Sequence, residues 1–141
     1  MSRRRIPREV SEFVAERADF CCEYCFSQEG YCPDSLNVEH IIPVVRGGSD
    51  AVSNLGYSCQ GCNNRKHVAV SAVDRMTGKR VRLFHPRKDD WDTHFVWSED
   101  KTRVIGMTPI GRATVERLEL NRRGVINLRF ALIQIGKHPP Q

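Results

Sequence analysis

An α+β fold assembled round a metal site is predicted by three features of the sequence. Two Cys-x-x-Cys pairs, Cys22/Cys25 and Cys59/Cys62, bracket residues 26–58. Between and just after them the pattern reads strand, long loop, strand, helix, and helical spacing recurs at both ends of the chain. At 141 residues the chain is the size of one domain with a core of its own.

The elements follow in order. Pro7 is suited to the first helical position, and Val10, Phe13, Val14, Arg17 and Ala18 keep helical spacing as far as Asp19. Residues 31–34 have turn chemistry, and residues 36–42 read as a strand stopped by Pro43. Residues 46–50 are a loop, since the paired Gly47 and Gly48 admit positive φ. Residues 51–58 read as a second short strand or extended segment, and residues 63–72 as a helix springing from the second cysteine pair. Downstream, residues 86–92 read as loop, and residues 93–97 and 102–107 as a hairpin turning at 98–101, with Phe95 and Trp97 in its core. Thr108-Pro109 is an N-cap and first-turn signal for a helix to about Leu120. A last helix over residues 125–135 places Val125, Leu128, Leu132 and Ile135 on one face. The expected organisation is one domain over 1–141: a basic arm (1–8), a zinc-bound core (20–72) and a C-terminal extension (76–135) packing on that core.

No apolar run approaches the roughly 18 residues that cross a bilayer, so no membrane partner is expected. The N-terminal arginines are followed by no apolar stretch, so no secretory signal is read and a cytoplasmic location is expected. There thiols stay reduced, which turns the cysteine pairs from disulfides into metal ligands. Four thiolates at x₂ spacing suit a structural Zn²⁺, whose tetrahedral geometry they satisfy. Cys21 and Cys32 have no such partner and read as ordinary thiols. The net charge of +5 favours a polyanion. Both ends of the chain are basic and residues 9–38 are acidic, and nucleic acid is the leading partner class. Arg3, Arg4, Arg5 and Arg8 at one end, with Arg112, Arg117, Arg122, Arg123 and Arg129 at the other, are placed to straddle a duplex.

Inside the cysteine frame stand Glu39-His40-Ile41-Ile42-Pro43, then Gly47-Gly48, Asn54-Leu55 and Cys62-Asn63-Asn64-Arg65-Lys66. Together with the flanking cysteine pairs, this order resembles the HNH endonuclease family over about residues 20–67. The resemblance implies a ββα-metal core and a metal-dependent endonuclease, with DNA, expected double-stranded, as partner. It assigns His40 as general base, Glu39 and Asn63 as holders of the catalytic ion, and Asn54 as the brace of the loop that orients the imidazole through hydrogen bonds. His67, one turn beyond Asn63, is a further candidate ligand, as in the colicin nucleases of this family, and Arg65 and Lys66 fall near phosphate. The family more often has Asp or His where Glu39 stands, and often His where Asn63 stands.

The chemistry suits those residue types. A neutral imidazole can take a proton from water near pH 7. Such help is worth about 10²–10⁴ in rate. Glu39 and Asn63 offer hard oxygen ligands, which favours Mg²⁺ or Mn²⁺. Two other functions compete: a non-catalytic zinc-containing module that binds nucleic acid, and an RNA-cleaving nuclease on the same fold. The intact Glu39, His40, Asn54 and Asn63 set favours hydrolysis of DNA. Oligomeric state leaves no mark in the sequence.

Overall fold

The structure, a computed structural model, describes residues 6–140; Arg3, Arg4 and Arg5 lie outside the described residues. In chain order come α1 (Arg8–Arg17), β1 (Leu36–His40), β2 (Leu55–Cys59), α2 (Gln60–Lys66), β3 (Ser71–Asp74), β4 (Lys79–Arg82), α3 (Trp91–His94), β5 (Phe95–Trp97), β6 (Val104–Gly106), α4 (Pro109–Leu118) and α5 (Arg123–Gln134). The three sheets are separate antiparallel two-stranded hairpins. No helix among the described residues is long and apolar enough to cross a membrane.

The β1–β2 hairpin pairs Leu36 with Cys59 and His40 with Leu55, and α2 leaves directly from the end of β2. This is the ββα unit that the motif order implies. Its second strand is shorter than predicted, because Val52–Asn54 forms a 3₁₀ turn before β2 begins. α2 is capped by a thiol: the Cys59 Sγ accepts from the Cys62 amide at 3.4 Å. The helix also ends earlier than the predicted 72. His67 turns to φ +50° while its amide still donates to the Asn63 carbonyl at 2.8 Å, and the chain runs on into β3. β3 has its own partner in β4, a hairpin that the sequence reading did not anticipate. Its turn is set by Asp74, whose Oδ2 accepts from the Thr77 hydroxyl at 2.8 Å, and by Gly78 at φ +74°. Asp74 is also gripped by both Arg112 Nε and Nη2 at 3.0 Å, which ties this hairpin to α4.

Downstream, β5 and β6 pair as expected, although α3 occupies the end of the predicted loop and the start of the predicted strand. Thr108 caps α4, its hydroxyl accepting from the Gly111 amide at 3.0 Å, with Pro109 in the first turn. Gly111 lets α4 sit flush on the hairpin. A Cβ there would lie 2.1 Å from the His94 carbonyl oxygen.

One cluster of buried side chains runs from Val14 on α1 through Leu36, Leu55 and Tyr24 to Phe84, Phe95, Val104, Leu118, Leu120 and Val125. Through it runs a buried cation. Arg129, 2 % exposed, donates to the carbonyls of Cys25, Thr102 and Leu120 and lies over the Trp97 ring. Burial pulls its pKa down to about 10, which leaves it charged at neutral pH. Arg129 is therefore closed to a duplex, and Arg112 is engaged in tying α4 to the β3–β4 hairpin.

Candidate metal centre and catalytic cleft

The four knuckle cysteines converge. Their sulfurs all lie within 4.8 Å of one another, and all four side chains are buried. Each pair repeats one local turn: the Cys25 amide points at the Cys22 sulfur (3.5 Å) just as the Cys62 amide points at Cys59. Cys21 instead donates to the Asp19 carbonyl, and Cys32 stays outside the cluster. Burial drives the Cys22 thiol well above its ordinary value, while hydrogen bonds from Cys22 and its neighbours hold Cys25 well below. A pocket this dry holds four thiolates only with a compensating cation. The donor set and spacing are those of a structural zinc site.

A residue from outside this segment completes its surroundings. Arg122, just before α5, points Nη2 at the Cys59 sulfur (3.4 Å) and Nη1 at the Cys62 sulfur (3.5 Å). Its guanidinium also donates to the Leu118 and Glu119 carbonyls at the end of α4. Gly61 leaves the room: a Cβ there would stand 2.6 Å from Arg122 Nη2. Arg122 thus belongs to the cysteine cluster, and the sequence reading that grouped it with duplex-straddling arginines is corrected. The signal it carried, an arginine far along the chain, does not reveal its target.

The opposite face of α2 looks onto an open cleft of about 930 Å³. Asn63 and His67 line it from α2, Glu39 and His40 from β1, residues 43–45 from the following loop, and Glu12 and Glu16 from α1. One cleft therefore gathers all four residues assigned to base and catalytic-ion roles. Its described lining holds Glu12, Glu16 and Glu39 and includes no Lys or Arg. Glu39 is 5 % exposed in its side chain; its Oε2 lies 3.6 Å from Lys66 Nζ, and its Oε1 has no hydrogen-bond partner among the described residues. Glu39 and Asn63 line the same cleft, and a carboxylate and an amide oxygen are hard donors that fit a divalent cation. His67 is exposed and lines the cleft, but Glu39, His40 and His67 do not converge as the cysteines do.

Lys66 and Arg65, predicted near phosphate, are both engaged within the protein. Lys66 is 2 % exposed; its ammonium donates to the Ile41 carbonyl at 2.7 Å and balances Glu39, so it pins the end of β1 and is closed to phosphate. Arg65 pairs with Glu119 at 3.3 Å and donates to the Gly61 carbonyl. Neither lines the cleft.

Asn54 is the brace of the loop. Its Oδ1 accepts from the Ile42 amide at 2.9 Å, and its Nδ2 donates to the carbonyls of Ile42 (3.0 Å) and Ser49 (2.8 Å). The loop folds tightly onto it, since a Cβ on Gly48 would sit 1.7 Å from the Ile42 carbonyl oxygen. The imidazole of His40 is bonded elsewhere: its Nε2 lies 2.7 Å from Asp50 Oδ1. Asp50 stands in the predicted glycine loop, and only the folding of that loop brings it to the ring.

The ββα unit thus carries a metal-type cysteine cluster on one side and a cleft lined by an acid, an imidazole and an amide on the other. Residues 22–69 match the family model described as HNH endonuclease. That stretch, about a third of the chain, begins at the first cluster cysteine and ends just past α2, and it points to a nuclease or other nucleic-acid-related function. No curated protein and no solved structure gave a match.

Proposed function

We propose that the protein is a metal-dependent endonuclease that hydrolyses phosphodiester bonds of DNA, with a structural Zn²⁺ on Cys22, Cys25, Cys59 and Cys62. The observation that supports this best is the joint lining of one cleft by Glu39, His40 and Asn63. Glu39 and Asn63 hold Mg²⁺ or Mn²⁺, and His67 stands ready as a further ligand. When bound, the ion supplies charge stabilisation at the phosphate oxygens. It also offsets the acidic lining, which alone would repel a phosphodiester. His40 takes a proton from water through Nδ1, the ring nitrogen that does not face Asp50. The water oxygen bonds to phosphorus as the bond from phosphorus to the leaving sugar oxygen breaks. Asn54 keeps the 42–49 loop closed, and Lys66 holds the strand end that presents His40. Arg3, Arg4 and Arg5 supply backbone contacts that position the duplex without reading its sequence.

Plasmid nicking in Mg²⁺ or Mn²⁺ tests the reading. His40→Ala should lose about 10²–10⁴ of the rate while its melting temperature and DNA affinity hold, because a base acts in the transition state. Native turnover by His40→Ala would refute it.

A further inference from the structure

The contact that orients His40 comes from outside the motif residues. Asp50 Oδ1 lies 2.7 Å from His40 Nε2, a distance for a strong hydrogen bond to a carboxylate. The His40 side chain is 18 % exposed, so the ring is held against the protein. The charged or titratable groups that line the cleft with His40 are Glu39 from β1, Tyr57 from β2, Glu12 and Glu16 from α1, and His67 just after α2. The carboxylate within hydrogen-bond distance of the His40 ring among the described residues is that of Asp50.

Asp50 is itself placed by a chain of contacts that begins at Asn54. The Asn54 amide donates to the Ser49 carbonyl, the residue directly before Asp50, and the Ser49 hydroxyl accepts from the Ala51 amide at 3.2 Å, directly after it. Gly47, at φ +89°, and Gly48, pressed against Ile42, let the loop turn back far enough for Asp50 to meet the strand end it left. Asn54 therefore reaches the imidazole at two removes, through the loop and Asp50.

We propose that Asp50 is the positioning residue of His40. Its carboxylate accepts the Nε2 proton, fixes the ring plane and confines the proton to that nitrogen. The lone pair of Nδ1 is then the one presented to water. The inference rests on the nuclease reading for its catalytic meaning, but the contact can be tested without activity. Nitrogen-15 spectra of the imidazoles, recorded where His40 is neutral, report which ring nitrogen carries the proton. The native protein should show His40 as the Nε2–H tautomer; Asp50→Ala should show both tautomers. Asp50→Asn, of nearly the same size, should also release the proton from Nε2, since an amide can donate to that nitrogen, and it serves if the alanine variant fails to fold. In nicking assays kcat should fall about 10²-fold in either variant, the cost of misplacing a catalytic group by about 1 Å, with KM little changed. Asp50→Glu should recover part of the rate. An Nε2–H tautomer that persists in both variants with native kcat would overturn the inference and leave the nuclease reading standing. A wild-type protein that cleaves nothing would sink the nuclease reading, while the spectra still decide the contact.

Discussion

The two faces of α2 are built from neighbouring residues and have opposite characters. Cys59, Cys62 and Lys66 point inward, are buried, and have partners from β1, the first knuckle and Arg122. Asn63 and His67 look onto an open cleft shared with Glu39, whose Oε1 has no hydrogen bond among the described residues. Saturated contacts fix a geometry, whereas unsatisfied ones cost stability and are kept where a ligand will use them. The inward face thus holds the helix so that the outward face can afford to be unfinished.

Breaking the inward face should have the largest effect. Purified protein should carry near one zinc per chain, and Cys59→Ser or strong chelation should unfold it. Structural zinc commonly supplies about 10–16 kcal/mol of apparent binding free energy. Elemental analysis beside circular dichroism reads both, and zinc-free protein with native melting would remove the distinction between the faces.

Next is the seam between them, the buried Glu39–Lys66 pair. Glu39→Ala should lose cleavage through loss of the catalytic ion, and should also destabilise the fold by roughly 3–5 kcal/mol, because it strands a buried ammonium. Urea unfolding should show that adding Lys66→Met to Glu39→Ala recovers much of that stability without recovering activity. Full stability in Glu39→Ala would mean the two faces are not joined there.

A smaller effect is expected at Arg122. Arg122→Gln should leave the fold intact in zinc and weaken metal retention about 10–100-fold, the usual loss when a partner of a metal ligand is removed. Competition with a chromophoric chelator measures it. The smallest effect lies in the β3–β4 hairpin, which enters neither the cysteine cluster nor the cleft lining. Arg112 holds the Asp74 carboxyl well below the usual carboxylate range. A depressed carboxylate pKa adds stability above the unfolded value of about 3.9, and that stability is lost as pH falls through the folded value. Melting of Arg112→Gln should therefore lag the native protein near pH 7, with the gap closing progressively below about pH 4. A gap independent of pH would assign the loss to packing.

Much of this contrast was legible in the sequence because spacing carries it. The x₂ cysteine pairs gave the cluster, and Asn63 with His67 at i, i+4 gave the cleft face of α2. The same rule places Lys66 four residues after Cys62 on the buried face, so its burial was readable; the family pattern drew it toward phosphate instead. Residues 68–72 were misread as helix because α2 ends on His67 at positive φ, which an L-residue seldom adopts, and because β3 draws its stability from β4. Asp50 and Arg122 were out of reach for another reason. One meets its partner only after the glycine loop closes, and the other is separated from Cys59 by 63 residues. Such contacts are products of the tertiary fold and leave no local pattern.

The central claim is that one strand–helix unit holds a structural zinc on its inner face and a hydrolytic ion on its outer face. Anomalous diffraction from crystals soaked in Mn²⁺, collected at the zinc and manganese edges, tests it most directly. The account predicts a zinc peak among Cys22, Cys25, Cys59 and Cys62 and a separate manganese peak in the cleft beside Glu39 and Asn63. A cleft without manganese, or manganese found only on the thiolates, would contradict it.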